Sequence, residues 1–466
     1  MEEKKAEFQS KYEEYLQNVK FDRASLKTPF SAKEEKANQI FLAKVKQFKE
    51  KEDVNLYNSF YDNQAQFEAS EVYKIIKKMP KGIMQHIHLP AAVDFDFLMD
   101  LTREDFVFFS REEGILRISN HKEDDMGDGY VRLNKLRQDK SLNIDKEVAD
   151  RLYFDKKDSD KRDVAVIFEE FGFKFNRMGS IMFYKPNFVK AFDNILKMLA
   201  EDNYQGVELR HVYENYIGLD FKQGTIDEEL EFFHQQKQRL KGLYPGFGIC
   251  FMCTPVKVLN DAHFLKMAEY YVRSMEKYKG LITGFDAVHF EETKMLIEYV
   301  DQILELKDKN PGFEVYLHAG ESNKYSNKNI AVAVLLGSKR IGHGLISMDC
   351  PTTLKLLKKH DVCVEVNPIS NNVLGYCKDF NWHPAKQFIN FRLPITINPD
   401  DFTLWKVKGG SLDFFIAAIY WDFDLRDLKW CIINSLTYSS MEKEELKEVE
   451  SLFYQKWEEF IDNLIE

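Results

Sequence analysis

Residues 313–344 read FEVYLHAGESNKYSNKNIAVAVLLGSKRIGHG. The segment opens on a β-rich run, Phe313–Glu321, passes through a helix-favouring stretch, Asn329–Leu336, and closes on a second β-rich run, Arg340–Gly344. Strand, helix and strand in that order make a parallel βαβ unit. Outward from it the rhythm repeats. Further β-rich runs lie at Gly82–Leu89, Gly206–Val212, Gly246–Cys253, Leu281–Val288, Val362–Pro368 and Pro394–Asp401, with helical stretches such as Ala262–Lys279, Thr293–Lys307 and Cys350–Lys359 between them. Eight such strands predict an α/β fold of the (β/α)8, TIM-barrel type.

One interval breaks the rhythm. Between Leu89 and Gly206 there is far more chain than a crossover needs. Residues 101–165 are rich in charge (HKEDDMGDG, FDKKDSDKRD) and read as an insertion after the first strand, and helical periodicity returns over 166–201. The expected organisation is an N-terminal helical extension over 1–70 and a barrel over 71–466. The extension holds two amphipathic helices, 3–20 and 32–52. Either they pack on the barrel or they pair two copies of the chain. At the other end, Ser439 and Glu442 have capping-box spacing. The apolar stripe from Leu446 through Trp457 to Leu464 then predicts a long helix docked on the body.

Composition narrows the function. The balance of 65 Lys+Arg against 76 Asp+Glu, net −11, lacks the cationic excess that nucleic-acid phosphates demand. With 38 Phe and 22 Tyr the chain is not disordered as a whole. No uncharged apolar run is long enough to span a bilayer, and the opening MEEKKAEFQSKYEEYLQ has no apolar core of a signal peptide. Six sparse cysteines fit a reducing compartment, so a cytoplasmic protein is expected. Cys250-x-x-Cys253 lies in an apolar run with no second pair nearby and reads as two core thiols.

The chemistry sits at strand ends. The first strand carries His86-Ile87-His88, whose alternation puts both imidazoles on one face, as metal ligands or as a hydrogen-bonded structural pair. The fifth ends His318-Ala319-Gly320-Glu321, the sixth carries His343 between glycines, and the eighth ends Asp400-Asp401. A barrel's active site lies where the C-terminal strand ends converge. Three imidazoles and one carboxylate from strands one, five and eight suit Zn2+, with a coordination position left for water. Glu321 would then shuttle protons, and His343 would steady developing charge. His121, His234, His263 and His360 lack such company and read as surface or capping residues. No strand-end lysine suggests a carboxylated bridge between two metals.

His-Ile-His, His-Ala-Gly-Glu, Arg-Ile-Gly-His-Gly and Asp-Asp, in this order, resemble the metal-dependent adenosine deaminases. The stretches 365–374, 381–384, 408–414 and 424–438 resemble their growth-factor-related, adenosine deaminase 2 branch. The resemblance runs from about residue 70 to the C-terminus. It implies a hydrolase of purine metabolism with Zn2+ on His86, His88, His318 and Asp400. Glu321 would exchange protons with the purine and the attacking water, His343 would stabilise the hydroxide as it adds, and Asp401 would hydrogen-bond the purine. The partner implied is a purine nucleoside, and the N-terminal helices resemble a pair that forms homodimers. Three positions depart from the pattern. Leu89-Pro90 stands where the family places a nucleoside-binding Asp, His289 where it has a purine-facing Gly, and Phe402 where it has Pro. A chain so altered could also be a non-catalytic descendant, serving as a binding or structural subunit of a larger assembly. Aminohydrolase and altered subunit are the two readings that the structure must weigh.

Overall fold

Apolar residues on both faces make short, fully buried strands, the mark of parallel sheets covered on each side. The computed structural model describes residues 2–466 except 21–22, 52–54, 58, 161–162, 323 and 325. In chain order the strands are β1 (Ile83–Met84), β2 (Val107–Ser110), β3 (Ile115–Ile118), β4 (Tyr130–Arg132), β5 (Gly206–His211), β6 (Gly248–Cys253), β7 (Ile282–Phe285), β8 (His318–Ala319), β9 (Arg340–His343), β10 (Cys363–Val366) and β11 (Ile395–Ile397). Eight of them pair in parallel as β1-β5-β6-β7 and β8-β9-β10-β11. A parallel bridge from Phe285 to Val315 joins the two halves on one side. On the other, Asn398 Oδ1 accepts from the Gln85 and His86 N–H groups at 2.9 and 3.1 Å, and the Asp400 N–H donates to the His86 carbonyl. The result is the (β/α)8 barrel, with strands shorter than the sequence reading.

The barrel interior holds a layer of paired charge. Arg210 donates to Asp286 and Glu365, each at 2.7 Å, while Arg340 donates to Glu365 at 2.6 Å and Glu208 at 2.5 Å. All five side chains are buried. Burial would raise the Glu365 carboxyl, but Arg210, Arg340 and His86 outweigh it and hold it below the usual range. Such a layer is costly unless fully partnered, and here each charge is.

The chain between β1 and β5 carries a three-stranded antiparallel sheet, β3-β2-β4, and helices including Ile144–Leu152. Helix Val164–Met182 follows and runs beside the barrel mouth; its Lys174 is buried and donates to the Asp150 and Tyr153 carbonyls, tying it to the inserted segment. Residues 161–162 of that segment lie outside the described residues.

At the N-terminus, Glu2–Lys20 and Ala32–Lys49 are helical, and residue 52, where the second was expected to end, lies outside the described residues. The second packs Phe41, Val45 and Phe48 into the core. The first leaves Phe8, Tyr12, Tyr15 and Leu16 exposed. The C-terminal helix Lys443–Ile465 buries Val449, Phe453, Trp457, Phe460 and Ile461. Its expected capping box is absent, because Ser439 instead donates to Glu208 at 2.7 Å and Glu442 takes the N-cap without a side-chain bond. Among the described residues no helix is long and apolar enough to cross a membrane. Cys250 and Cys253 are buried free thiols, and burial pushes Cys250 up to about 12.

Candidate active site

The C-terminal strand ends bring seven of the expected residues to one point. His86 and His88 come from the chain after β1, His318 from β8, His343 from β9, and Asp400 from the turn after β11. Ligand atoms of His86, His88 and His318 lie within 4.8 Å of one another, as do those of His86, His343 and Asp400, and of His88, Asp400 and Asp401. Asp400 Oδ1 stands 3.4 Å from His86 Nε2 and 3.5 Å from His88 Nε2. Glu321 Oε1 stands 3.6 Å from His343 Nε2. All seven side chains are buried.

Local backbone serves this convergence. His343 and Asp400 adopt left-handed φ of 66° and 56°, strained for residues with a Cβ. Gly342 gives His86 its room, since a Cβ there would fall 2.8 Å from the ring.

The donor set fits a metal. His86 Nδ1 donates to Glu365 at 2.8 Å and His318 Nδ1 to Asp286 at 2.6 Å, so both rings turn Nε2 toward the centre. His86 Nε2 and Asp400 Oδ1 are buried and have no hydrogen-bond partner among the described residues. Burial lowers His88 and His318, which keeps their lone pairs free. For His86, burial and Arg210 are outweighed by Asp400 and Glu365, and its pKa rises. A spot that attracts a proton between two carboxylates also attracts a cation. Burial would raise Asp400, yet His86, His343 and His88 hold it well below the usual carboxylate range. Three imidazoles with one carboxylate match a site for Zn2+ or a similar borderline ion.

Around this centre, burial together with the Asp400 and Glu291 charges raises Glu321 well above its ordinary value. Burial and Asp400 do the same for Asp401. A cavity of about 720 Å³ opens from the centre between Phe168, Phe171 and Phe175 of helix Val164–Met182 and Val256, Leu259 and Val288. Pro90 and His289 line it. His289 sits at φ 99°, packs edge-on to Phe168 at 5.6 Å, and is pushed down to about 4 by burial and the Lys257 charge. Phe402 is buried in the core. Asp94 and Asp96 pair with Lys408 at 2.9 and 3.2 Å and do not line the cavity.

Two expectations need correction. His263 is not a surface residue: it lines the cavity, its Nε2 accepts from the Val256 N–H at 3.2 Å, and its Nδ1 lies 3.6 Å from Glu214. Strand-end lysine is present as well. Lys257 follows β6 by four residues, is buried, and its Nζ has no hydrogen-bond partner among the described residues. The supporting layer also escaped the sequence reading: Asp286, Glu365 and Arg210 behind the histidines, and Ser370, which donates to Asp400 at 2.8 Å. The available signal was Glu208 and Arg210 at alternate positions of a fully buried strand.

The fold and the site define a (β/α)8 barrel with a metal-binding constellation at its catalytic end. A sequence model of the adenosine deaminase family matches residues 162–456. The chain belongs to that family, and is thereby an enzyme of the hydrolytic deaminase kind. It is 27% identical to adenosine deaminase 2 of Dictyostelium discoideum, covering 94% of this chain and 84% of that one. It is 29% identical to an adenosine deaminase of Phlebotomus duboscqi (87% and 81% covered) and 24% identical to human adenosine deaminase 2 (92% and 89%). Two solved structures share the fold at 14% identity. An N6-mAMP deaminase from arabidopsis superposes with TM-score 0.61 over 82% of this chain and 99% of its own. An amidohydrolase from Burkholderia ambifaria with bound Zn superposes with TM-score 0.63 over 84% and 94%.

Proposed function

We propose that this chain is a Zn2+-dependent aminohydrolase that converts adenosine, or a close purine nucleoside, to inosine and ammonia. The observation that carries the reading is the buried convergence of His86, His88, His318 and Asp400, with two ligand atoms left unpartnered. These four residues would hold Zn2+. When bound, the ion supplies the Lewis acidity that makes water a nucleophile near neutral pH. Glu321 is the acid and base: burial and the neighbouring carboxylates raise its pKa, which suits it to give a proton to purine N1 and then accept one from the attacking water. His343 faces the same point and donates to the attacking oxygen as charge builds. Asp401, its pKa likewise raised, hydrogen-bonds the purine ring, and His289 meets its edge.

The cavity favours a nucleoside over a nucleotide. Among the described lining residues there is no Lys or Arg to neutralise a phosphate, while Glu214 adds negative charge. The deciding experiment pairs elemental analysis of protein purified without chelator with the fall in adenosine absorbance on conversion to inosine. One stoichiometric zinc with turnover supports the reading. Stoichiometric zinc without turnover on adenosine or its analogues favours the altered subunit instead, consistent with Pro90 and His289.

We further propose a cytoplasmic location, in keeping with six unpaired cysteines, and pairing of two copies through the exposed apolar stripe of helix Glu2–Lys20.

A further inference from the structure

Behind His343 runs a chain of hydrogen bonds whose direction is set from one end. The Ala385 backbone N–H can only donate, and it meets His383 Nδ1 at 3.2 Å. A neutral His383 must then carry its proton on Nε2, which lies 3.1 Å from Asn371 Oδ1. That bond orients the Asn371 amide, so its Nδ2 faces His343 Nδ1 at 3.2 Å. Asn367 Nδ2 reaches the same nitrogen, also at 3.2 Å. With Asn371 fixed as a donor, His343 Nδ1 is cast as the acceptor, and Asn367, whose Oδ1 has no partner among the described residues, brings a second amide to it. Its proton is confined to Nε2, the nitrogen that faces Glu321 at 3.6 Å and Asp400 at 3.8 Å.

Every member of this relay is buried: Asn367, Asn371 and His383 at 0% exposure and His343 at 1%. The His383 ring is clamped by stacking on Trp421, centroids 4.8 Å apart, and Trp421 is itself pinned by its Nε1 donating to the Phe380 carbonyl at 2.9 Å. Burial pushes His383 down to about 3, which keeps it neutral and the direction of the relay single-valued. A protonated His343 would aim an Nδ1–H at two amide NH2 groups. The relay therefore opposes the imidazolium as well as the wrong tautomer.

We propose that Asn371 and His383 are positioning residues that lock His343 as the neutral Nε2–H tautomer, so that it offers a donor, not a lone pair, to the oxygen attacking the substrate. The consequence for turnover rests on the deaminase reading above; the tautomer itself does not.

The test is nitrogen NMR of metal-loaded protein labelled with 15N in its histidine rings, with the His343 signals assigned by their loss in His343→Ala. The expected wild-type spectrum shows an unprotonated Nδ1 and a protonated Nε2 for His343. Asn371→Asp, nearly isosteric, places a carboxylate acceptor at Nδ1. It should invert the pattern, keep the metal, and lower kcat on the order of 10²–10³-fold with KM little changed, the loss expected for one such donor. His383→Phe keeps the stack on Trp421 but frees the Asn371 amide, and should show both tautomers with an intermediate kcat. His383→Gln, which can still donate to Asn371 Oδ1, should recover most of the wild-type pattern. A wild-type spectrum with Nδ1 protonated overturns the proposal, whatever the variants do. So does an Asn371→Asp protein that keeps the wild-type tautomer and rate. If wild type shows the expected tautomer yet no deamination, the relay stands and the proposed function falls.

Discussion

His318 is turned into the barrel mouth by Asp286: its Nδ1 donates to Asp286 Oδ2 at 2.6 Å, and the same oxygen accepts from Arg210 at 2.7 Å. Burial alone would raise Asp286, but His318 and Arg210 hold it far below the usual carboxylate range, so it stays an acceptor. Asp286 thus fixes the ring, the tautomer and the basicity of a residue on the next strand. Asp286→Asn should leave the fold intact and weaken metal binding by about 10–100-fold, the usual cost of losing such a partner. Competition against a chelator, wild type beside variant, reads this directly. Equal affinity would mean that His318 is not a ligand.

Glu321→Gln removes the proposed proton carrier while preserving shape. Among the described residues Glu321 makes no hydrogen bond to the candidate metal ligands, so metal content and thermal midpoint should match wild type. The rate should fall by roughly 10²–10⁴-fold, because an amide neither gives a proton to the purine nor takes one from water. Single-turnover kinetics on metal-loaded protein measures this, and a near-normal rate would move the proton shuttle to another residue.

Pro90 offers the cavity no hydrogen-bonding side chain, and His289 adds a ring to it. A lost hydrogen bond to a substrate hydroxyl costs roughly 1–3 kcal/mol. Adenosine should accordingly bind poorly to wild type. Pro90→Asp combined with His289→Gly restores the acceptor, clears the ring and relieves a left-handed backbone at φ 99°. The double variant should show a lower KM for adenosine and a higher kcat/KM. A metal-loaded double variant that stays inert would shift the weight to the non-catalytic subunit.

Much of the site was legible because its chemistry is carried by residue types at strand ends. A His-x-His or His-Ala-Gly-Glu at the close of an apolar run has few other uses, and alternation says which side chains share a face. The partners behind those residues were not legible. His86 meets Glu365 from 279 residues away, and Arg210 meets Asp286 from 76 residues away. Alternation fixes the face of a strand but not what crosses the barrel to meet it. Asn371 and His383 lay in segments that stood out in the sequence, yet their orientation depends on one backbone N–H, that of Ala385, which no sequence pattern marks. The strand limits were overestimated: β8 is only His318–Ala319, and before it the chain keeps just the single bridge from Val315 to Phe285. Helix Glu2–Lys20 exposes its stripe for a reason of composition. Apolar spacing predicts an amphipathic helix but not whether its partner lies in the same chain.

His383 also leaves a signature in stability. Folded, it is held down to about 3 by burial, whereas in an unfolded chain a histidine titrates near 6.5. Above about pH 6.5 both states carry it neutral and its contribution is present in full. As pH falls below that, the unfolded chain gains a proton that the folded protein refuses, so stability declines until the folded pKa near 3 is reached. One such group contributes at most about 1.4 kcal/mol per pH unit across that window. His383→Phe should start less stable at neutral pH, having lost the bonds to Ala385 and Asn371, but its decline with acid should be shallower. Urea unfolding of chelator-stripped wild type and variant at about pH 7.5, 6 and 5 gives the comparison. The gap between the two proteins should narrow as pH falls. Parallel curves would mean that His383 titrates in the folded protein much as it does in the unfolded chain, and that its neutrality is not enforced by burial.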